Sequence, residues 1–308
     1  MRVFVTGATG FIGSAVVGEL IDHGHQVVGL ARSDQAAAAL DAAGAEVHRG
    51  ALDDLDSLRS GAAAADGVTH TAYIHDFSQM DTAAEIDLAA IEALGATLEG
   101  SGRPLVVTSG TALVRPGHLV TEEDVRAPGS GGHPRLGTEQ VVKDMAGRGV
   151  RTSIVRPGAS VHGEGDHGFV PVLIDIARTK GVSAYIGDGA NRWPAVHRLD
   201  AAPVYRLALE NAPAGSVFHA VADEGVPTRE IAEVIGRHLE VPVVSVAPED
   251  AGEHFGWMGA FFGIDAPASS ALTQERLGWR PAHIGLIADL EQGHYFEAAQ
   301  VAALTSAT

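Results

Sequence analysis

The octapeptide "TGATGFIG", Thr6 to Gly13, holds the first residues whose types and spacing imply chemistry. It follows the β-branched run "RVFVT" at 2–6 and opens a helix-patterned run at 11–24. Gly7 permits a tight turn, Gly10 lets backbone approach a pyrophosphate, and Gly13 allows close helix-to-sheet packing. N–H groups at the helix start, around Thr9, Phe11 and Ile12, then face the phosphates. Three glycines in a strand–turn–helix context point to a bound dinucleotide. A merely tight turn does not need all three.

The end of the second strand bears on which dinucleotide. An NAD site places Asp or Glu about 20 residues past the glycines, on the ribose 2′-OH. Here "LARSD" brings Arg32 and Ser33 to that place. A guanidinium and a hydroxyl suit a 2′-phosphate, so the expected cofactor is NADP(H). Asp34 offers the plainer alternative of a surface ion pair with Arg32. In "ALDDLDSL", Leu52 and Asp53 follow the third strand, where an adenine ring lies; Asp53 could equally cap the next helix. His162, Glu164, Asp166 and His167 cluster in a glycine-broken loop without a helical His-x-x-x-His face, and no metal is expected there. "GWMGAFFG" at 256–263 reads either as a lid that makes a pocket apolar or as plain core.

The elements that position these residues follow from periodicity. Short β-branched runs at 2–6, 26–31, 45–50, 67–73, 104–109 and 150–157 alternate with helical stretches at 11–24, 35–44, 82–99 and 135–149. Repeated βαβ predicts an α/β fold, a Rossmann-type doubly wound parallel sheet. After Pro157 the texture changes to Gly-rich loops, with short strands at 216–222 and 241–247. Residues 1–157 with 196–222 are expected to form the dinucleotide-binding domain. Residues 158–195 with 223–308 are expected to form a smaller C-terminal substrate-binding lobe.

Composition narrows the partners. The chain has 308 residues and a formal net charge of −18, which repels a phosphate backbone and argues against nucleic-acid binding. It has 0 cysteines, so neither a disulfide nor a thiolate nucleophile is available, which suits a cytoplasmic protein. "MRVFVTG" enters a strand at once without a signal-peptide pattern, and no apolar run approaches the ~20 residues that cross a bilayer. A soluble protein acting on a small molecule is expected.

Several further motifs appear in a telling order: "VTHTAY", "VVTSGT", "VRPGASVHGEGD", "WPAVHRLDAA" and "SSALTQERLGWRP". With the glycine motif, they make the chain resemble the extended short-chain dehydrogenase/reductase family, in its branch of epimerases, dehydratases and reductases. The resemblance covers nearly the whole chain. It implies that Ser109 and Thr111, at the end of the fifth strand, hold a substrate carbonyl by the nicotinamide; the plainer alternative is that they satisfy strand-end backbone. It also implies that Thr71, Ala72 and Tyr73 line the cofactor, that Pro157, Gly158 and Ser160 meet the carboxamide, and that His197 and Asp200 tie the returning chain to the core. The helices at 82–99 and 135–148 would form a homodimer.

One departure stands out. The family carries Tyr-x-x-x-Lys at the start of the helix after the fifth strand, where "HPRLGTEQVVK" has no tyrosine. Arg135 and Glu139 replace the pair in one register, favoured by Pro134 at a helix start; Glu139 and Lys143 do so in the other. Glu139 is then an i, i+4 partner of Arg135 or a ligand of the ribose hydroxyls, and Arg135 a polarising group. A replacement proton donor would be Tyr73 or His75 at the end of the fourth strand, or else His133. The expected function is an NADPH-dependent carbonyl reductase of atypical construction. The alternatives are a non-catalytic NADP(H)-binding sensor and a sugar-nucleotide epimerase or dehydratase.

Overall fold

The computed structural model describes residues 1–75, 79–112, 114–125 and 137–297. Six strands come first: β1 (Arg2–Thr6), β2 (Gln26–Ala31), β3 (Glu46–Arg49), β4 (Gly67–His70), β5 (Pro104–Thr108) and β6 (Arg151–Pro157). Between them run α1 (Phe11–Asp22), α2 (Asp34–Ala42), α3 (Leu55–Ala63), α4 (Met80–Leu98) and α5 (Thr138–Ala146). Then come β7 (Ser160–His162), α6 (Phe169–Lys180), β8 (Ser183–Ile186), β9 (Arg192–His197), α7 (Arg198–Asn211), β10 (Ser216–Ala220), β11 (Asp223–Pro227), α8 (Thr228–Leu239) and β12 (Val243–Val246).

Seven strands form one sheet in the order β10-β6-β5-β4-β1-β2-β3, every neighbouring pair parallel. The inner strands are buried on both sides, because helices cover both faces. Val3 and Val5 of β1, Val106, Val155 and Phe218 join one cluster with α1 and α7; Phe4, Leu105, Val107, Ile154 and Val217 join the other with α3, α4 and α5. The side-chain period of two produces this partition. Strand order reverses between β1 and β4, so their carboxyl ends flank a crevice at the switch point.

A third apolar cluster lies outside the large sheet, among α6, α8 and the short helices at Ala251–Phe255 and Gly259–Phe262. Two small sheets accompany it, β11-β9-β7 and β12-β8. The chain then returns to the main sheet: Trp279 is buried in the cluster beside α7 and donates from Nε1 to the Asp200 carbonyl at 3.0 Å. The Asp200 carboxylate accepts from the N–H groups of Ala282 and His283.

Several expected boundaries shift. The fourth strand ends at His70 rather than residue 73, because the Thr71 N–H and hydroxyl both turn back onto the Thr6 carbonyl. The start expected for the following helix, at 135, lies outside the described residues, and the strand expected to 222 ends at Ala220. At the switch point, the His70 ring bridges β1 and α4. Its Nδ1 lies 2.8 Å from Thr6 Oγ1 and its Nε2 3.1 Å from Asp87 Oδ1, all three residues buried. His70→Leu removes the ring between two buried polar groups and is expected to lower stability by about 3 kcal/mol, read by urea denaturation.

Candidate active site

The glycine turn is set by crowding. Gly7 has φ +66, and a Cβ there would lie 2.6 Å from the Ala72 nitrogen; a Cβ on Gly13 would lie 1.9 Å from the Gly7 carbonyl oxygen. Those two glycines are required by the protein's own packing. Gly10 differs: its nearest neighbour to a Cβ is 3.2 Å away, and it is exposed beside Thr9. Gly10 is also the N-cap of α1 and provides no side-chain cap, so the first N–H groups of Phe11 and Ile12 open towards the crevice. A bare backbone cradle that a Cβ would narrow suits a dinucleotide diphosphate.

At the far end of this crevice Arg32 is exposed, just past β2. Asp34 does not pair with it. Asp34 instead accepts from Arg49 at the end of β3, at 2.6 Å. Ser33 caps α2, its Oγ accepting from the Ala36 N–H at 3.1 Å. Leu52 packs half-buried against the core, whereas Asp53 is exposed. The helix cap considered for Asp53 belongs to its neighbour Asp54, which accepts from the Ser57 N–H.

The carboxyl end of β6 and the start of α5 are joined by a buried ion pair that sequence reasoning missed. Arg156, fully buried on β6, donates from Nε to Glu139 Oε1 at 2.8 Å and from Nη2 to Oε2. Burial pushes the Glu139 carboxyl up, but the Arg156 hydrogen bonds and charge outweigh it, so the pKa lies below the ordinary value. Glu139 is therefore an anion at neutral pH and not a proton donor. The expected Arg135 partner lies outside the described residues, as does His133. Each Glu139 oxygen accepts one bond from Arg156 and keeps a further lone pair. The signal was present in "RTSIVRP": an arginine that follows Ile154 and Val155 inside a buried strand calls for a buried anion.

Ser109 is buried beside this pair, its Oγ directed towards Glu139 without closing a hydrogen bond. Thr111 is buried, and its hydroxyl and N–H both donate to the Pro157 carbonyl, at 3.2 and 3.1 Å. The backbone-satisfying alternative therefore describes the Thr111 hydroxyl. The Gly158 N–H is taken by Ala220, and a Cβ there would meet the Pro194 carbonyl at 2.6 Å. Ser160 is buried in β7. Tyr73 is half-buried and meets the exposed His75 edge-on, ring centroids 5.2 Å apart. Ala72 packs against Gly7, which places this segment at the switch-point crevice.

The loop after β7 is held by separate partners. His162 Nδ1 lies 2.8 Å from Asp289, Tyr295 donates to Asp166 at 3.0 Å, and His167 turns to the Gly165 carbonyl. Burial raises the Asp166 carboxyl to about 6. The 256–263 run splits between the two readings. Met258 and Phe262 are core, while Trp257 is 43% exposed and joins Phe169 and Phe261 in an aromatic patch. His197 accepts from the Leu199 N–H and caps α7, beside the Asp200 anchor.

Fold and crevice thus define a Rossmann-type α/β protein with a dinucleotide cradle. A family model, the NAD dependent epimerase/dehydratase family, matches residues 3–221, and the chain belongs to that family. It is 53% identical over 298 residues to an uncharacterised protein of Schizosaccharomyces pombe, spanning 96% of this chain and 100% of that one. It is 29% identical over 270 residues to the 4-hydroxy-2-methyl-3-oxo-4-farnesyl-3,4-dihydroquinoline-1-oxide ketoreductase of Stigmatella aurantiaca, covering 83% and 80% of the two chains. The UDP-glucose 4-epimerase of Thermus thermophilus, solved with NAD, shares the fold with a TM-score of 0.75 at 20% identity, over 97% of this chain and 100% of that one. No helix among the described residues is long and apolar enough to cross a membrane.

Two measurements test the buried network. Arg156→Met leaves Glu139 buried without its guanidinium and is expected to cost about 3–5 kcal/mol by urea denaturation, with Glu139→Gln restoring part of that loss in the double variant. His219, 3.4 Å from Arg156, is pushed down to about 4, chiefly by burial. The unfolded chain takes up this proton near 6.5 and the folded chain resists to about 4, so stability declines as pH falls across that window. A melting temperature that drops between pH 7 and 5, with a shallower drop in His219→Gln, is the expected result.

Proposed function

We propose that this protein is an NADPH-dependent reductase that delivers hydride to a carbonyl, or related C=X group, of a small and fairly apolar molecule. The observation that carries the cofactor preference is the Asp34–Arg49 pair. It leaves the Arg32 guanidinium without a carboxylate among the described residues, at the place where a 2′-phosphate would lie. The reading also draws on the ketoreductase named above.

When bound, the nicotinamide supplies the hydride. Ser109 orients the substrate oxygen, and the proton reaches that oxygen from Tyr73, from His75 or from water, because Glu139 is held as an anion. Sugar epimerisation needs an acid/base at the missing tyrosine and ranks lower. Residues 158–195 and 223–308 serve as the substrate lobe, with Phe169, Trp257 and Phe261 giving it an apolar wall. The protein works in the cytoplasm as a homodimer, with α4 and α5 packed across a two-fold axis; a monomer mass by light scattering would refute the dimer.

One observation favours a second reading. An ion-paired carboxylate on the helix where the family carries its Tyr-x-x-x-Lys also suits a non-catalytic NADP(H) sensor. NADPH oxidation across aldehydes, aryl ketones and imines, with NADH in parallel, separates the two. Turnover with NADPH preferred supports the reductase, whereas tight NADPH binding without turnover supports the sensor. In the reductase, Tyr73→Phe is expected to slow kcat by about 100-fold if the phenol is the donor; full activity would dismiss it.

A further inference from the structure

The glycine turn has a cationic neighbour that the resemblance does not supply. Arg198 begins α7, and its guanidinium carbon sits 5.1 Å from the centroid of the Phe11 ring. Phe11 is the first residue of α1, directly after the bare Gly10 cradle. His167 meets the same ring edge-on, with centroids 5.8 Å apart. Two segments outside the glycine motif, the β9–α7 junction and the loop before α6, therefore converge on the residue whose N–H opens the crevice.

Arg198 is half-buried, yet no carboxylate pairs with it among the described residues. A partly desolvated guanidinium resting on an aromatic face retains its planar fork of donors. In a chain of net charge −18, such a cation beside an open helix start is suited to an anion. Arg32 lies elsewhere, past β2, so the two arginines address different groups.

We propose that Arg198 binds the diphosphate of the dinucleotide, so that its docking on Phe11 couples the β9–α7 junction to the glycine turn. This rests on the cofactor reading above. Arg198 acts as a fork for two phosphate oxygens and adds to the α1 N–H groups, while Phe11 keeps the side chain in place before the ligand arrives.

The test is equilibrium binding by calorimetry with the full chain, using NADPH, NADH, ADP-ribose and UDP-glucose as probes. Arg198→Met is expected to weaken NADPH, NADH and ADP-ribose by one common factor of about 10- to 50-fold, because all three carry the diphosphate. Arg32→Ala is expected to weaken NADPH alone. Unchanged binding of all three probes in Arg198→Met overturns the proposal. So does a loss confined to NADPH, which would move Arg198 to the 2′-phosphate, or a loss confined to UDP-glucose, which would assign it to a nucleotide-sugar. If Arg198→Met fails to fold, Arg198→Lys decides: an equal weakening of roughly 3- to 10-fold across the three probes supports the fork, and none overturns it. A wild-type protein that binds neither dinucleotide would instead dismiss the cofactor reading, and with it this one.

Discussion

The close approach of β1 and β4 at their carboxyl ends is the constraint on which the rest depends. Gly7 turns against Ala72, and Gly13 of α1 packs onto the Gly7 carbonyl with no room for a methyl group between them. Thr71 binds back to Thr6, while His70 joins Thr6 to Asp87 of α4. One crowded junction thus fixes the entry of α1, the departure point of the Thr71–His75 segment and the seat of α4. Because interiors are close-packed and barely compressible, small displacements there would be transmitted to every group lining the crevice.

A second polar layer lies between β6, α5 and β10. Arg156 reaches Glu139 of α5, the Asp124 carbonyl and His219 of β10. His219 is held by the Ser269 carbonyl through its ring and by Thr273 through its N–H, and Thr273 donates in turn to Glu122. The pair therefore joins segments from 122 to 273. The face of α5 turned to β6 holds an anion, because Arg156 keeps the Glu139 carboxyl below its ordinary range. A carboxylate buried at this place requires the guanidinium beneath it.

Legibility followed distance along the chain. The strands, the glycine turn and the doubly wound order could all be read, because each depends on a local period or a short spacing. The partners of charged groups could not. Asp34 faces Arg32 in sequence but Arg49 in space, because the parallel register sets Ala31 opposite Arg49. Glu139 was matched to a neighbour on its own helix, whereas the β-strand beneath it carries its counter-ion. His162 and Asp289 are separated by 127 positions, and no pattern in either segment announces the other. Sequence periodicity reports which face of an element is buried; it does not report what waits there.

The anchoring of Trp279 beside α7 bears on how the chain acquires its structure. The cluster shared by β1, α1 and α7 also takes in Trp279, far along the chain from β1. A nascent chain leaving the ribosome could form β1 to β6 early, but it could not seal that face until position 279 and the backbone at Ala282 and His283 had emerged to meet Asp200. Contacts of such long sequence separation slow folding, because loop-closure entropy is spent before they form. The stretch between Asp200 and Trp279 is thus a long loop whose two ends must return to one surface before that face is sealed.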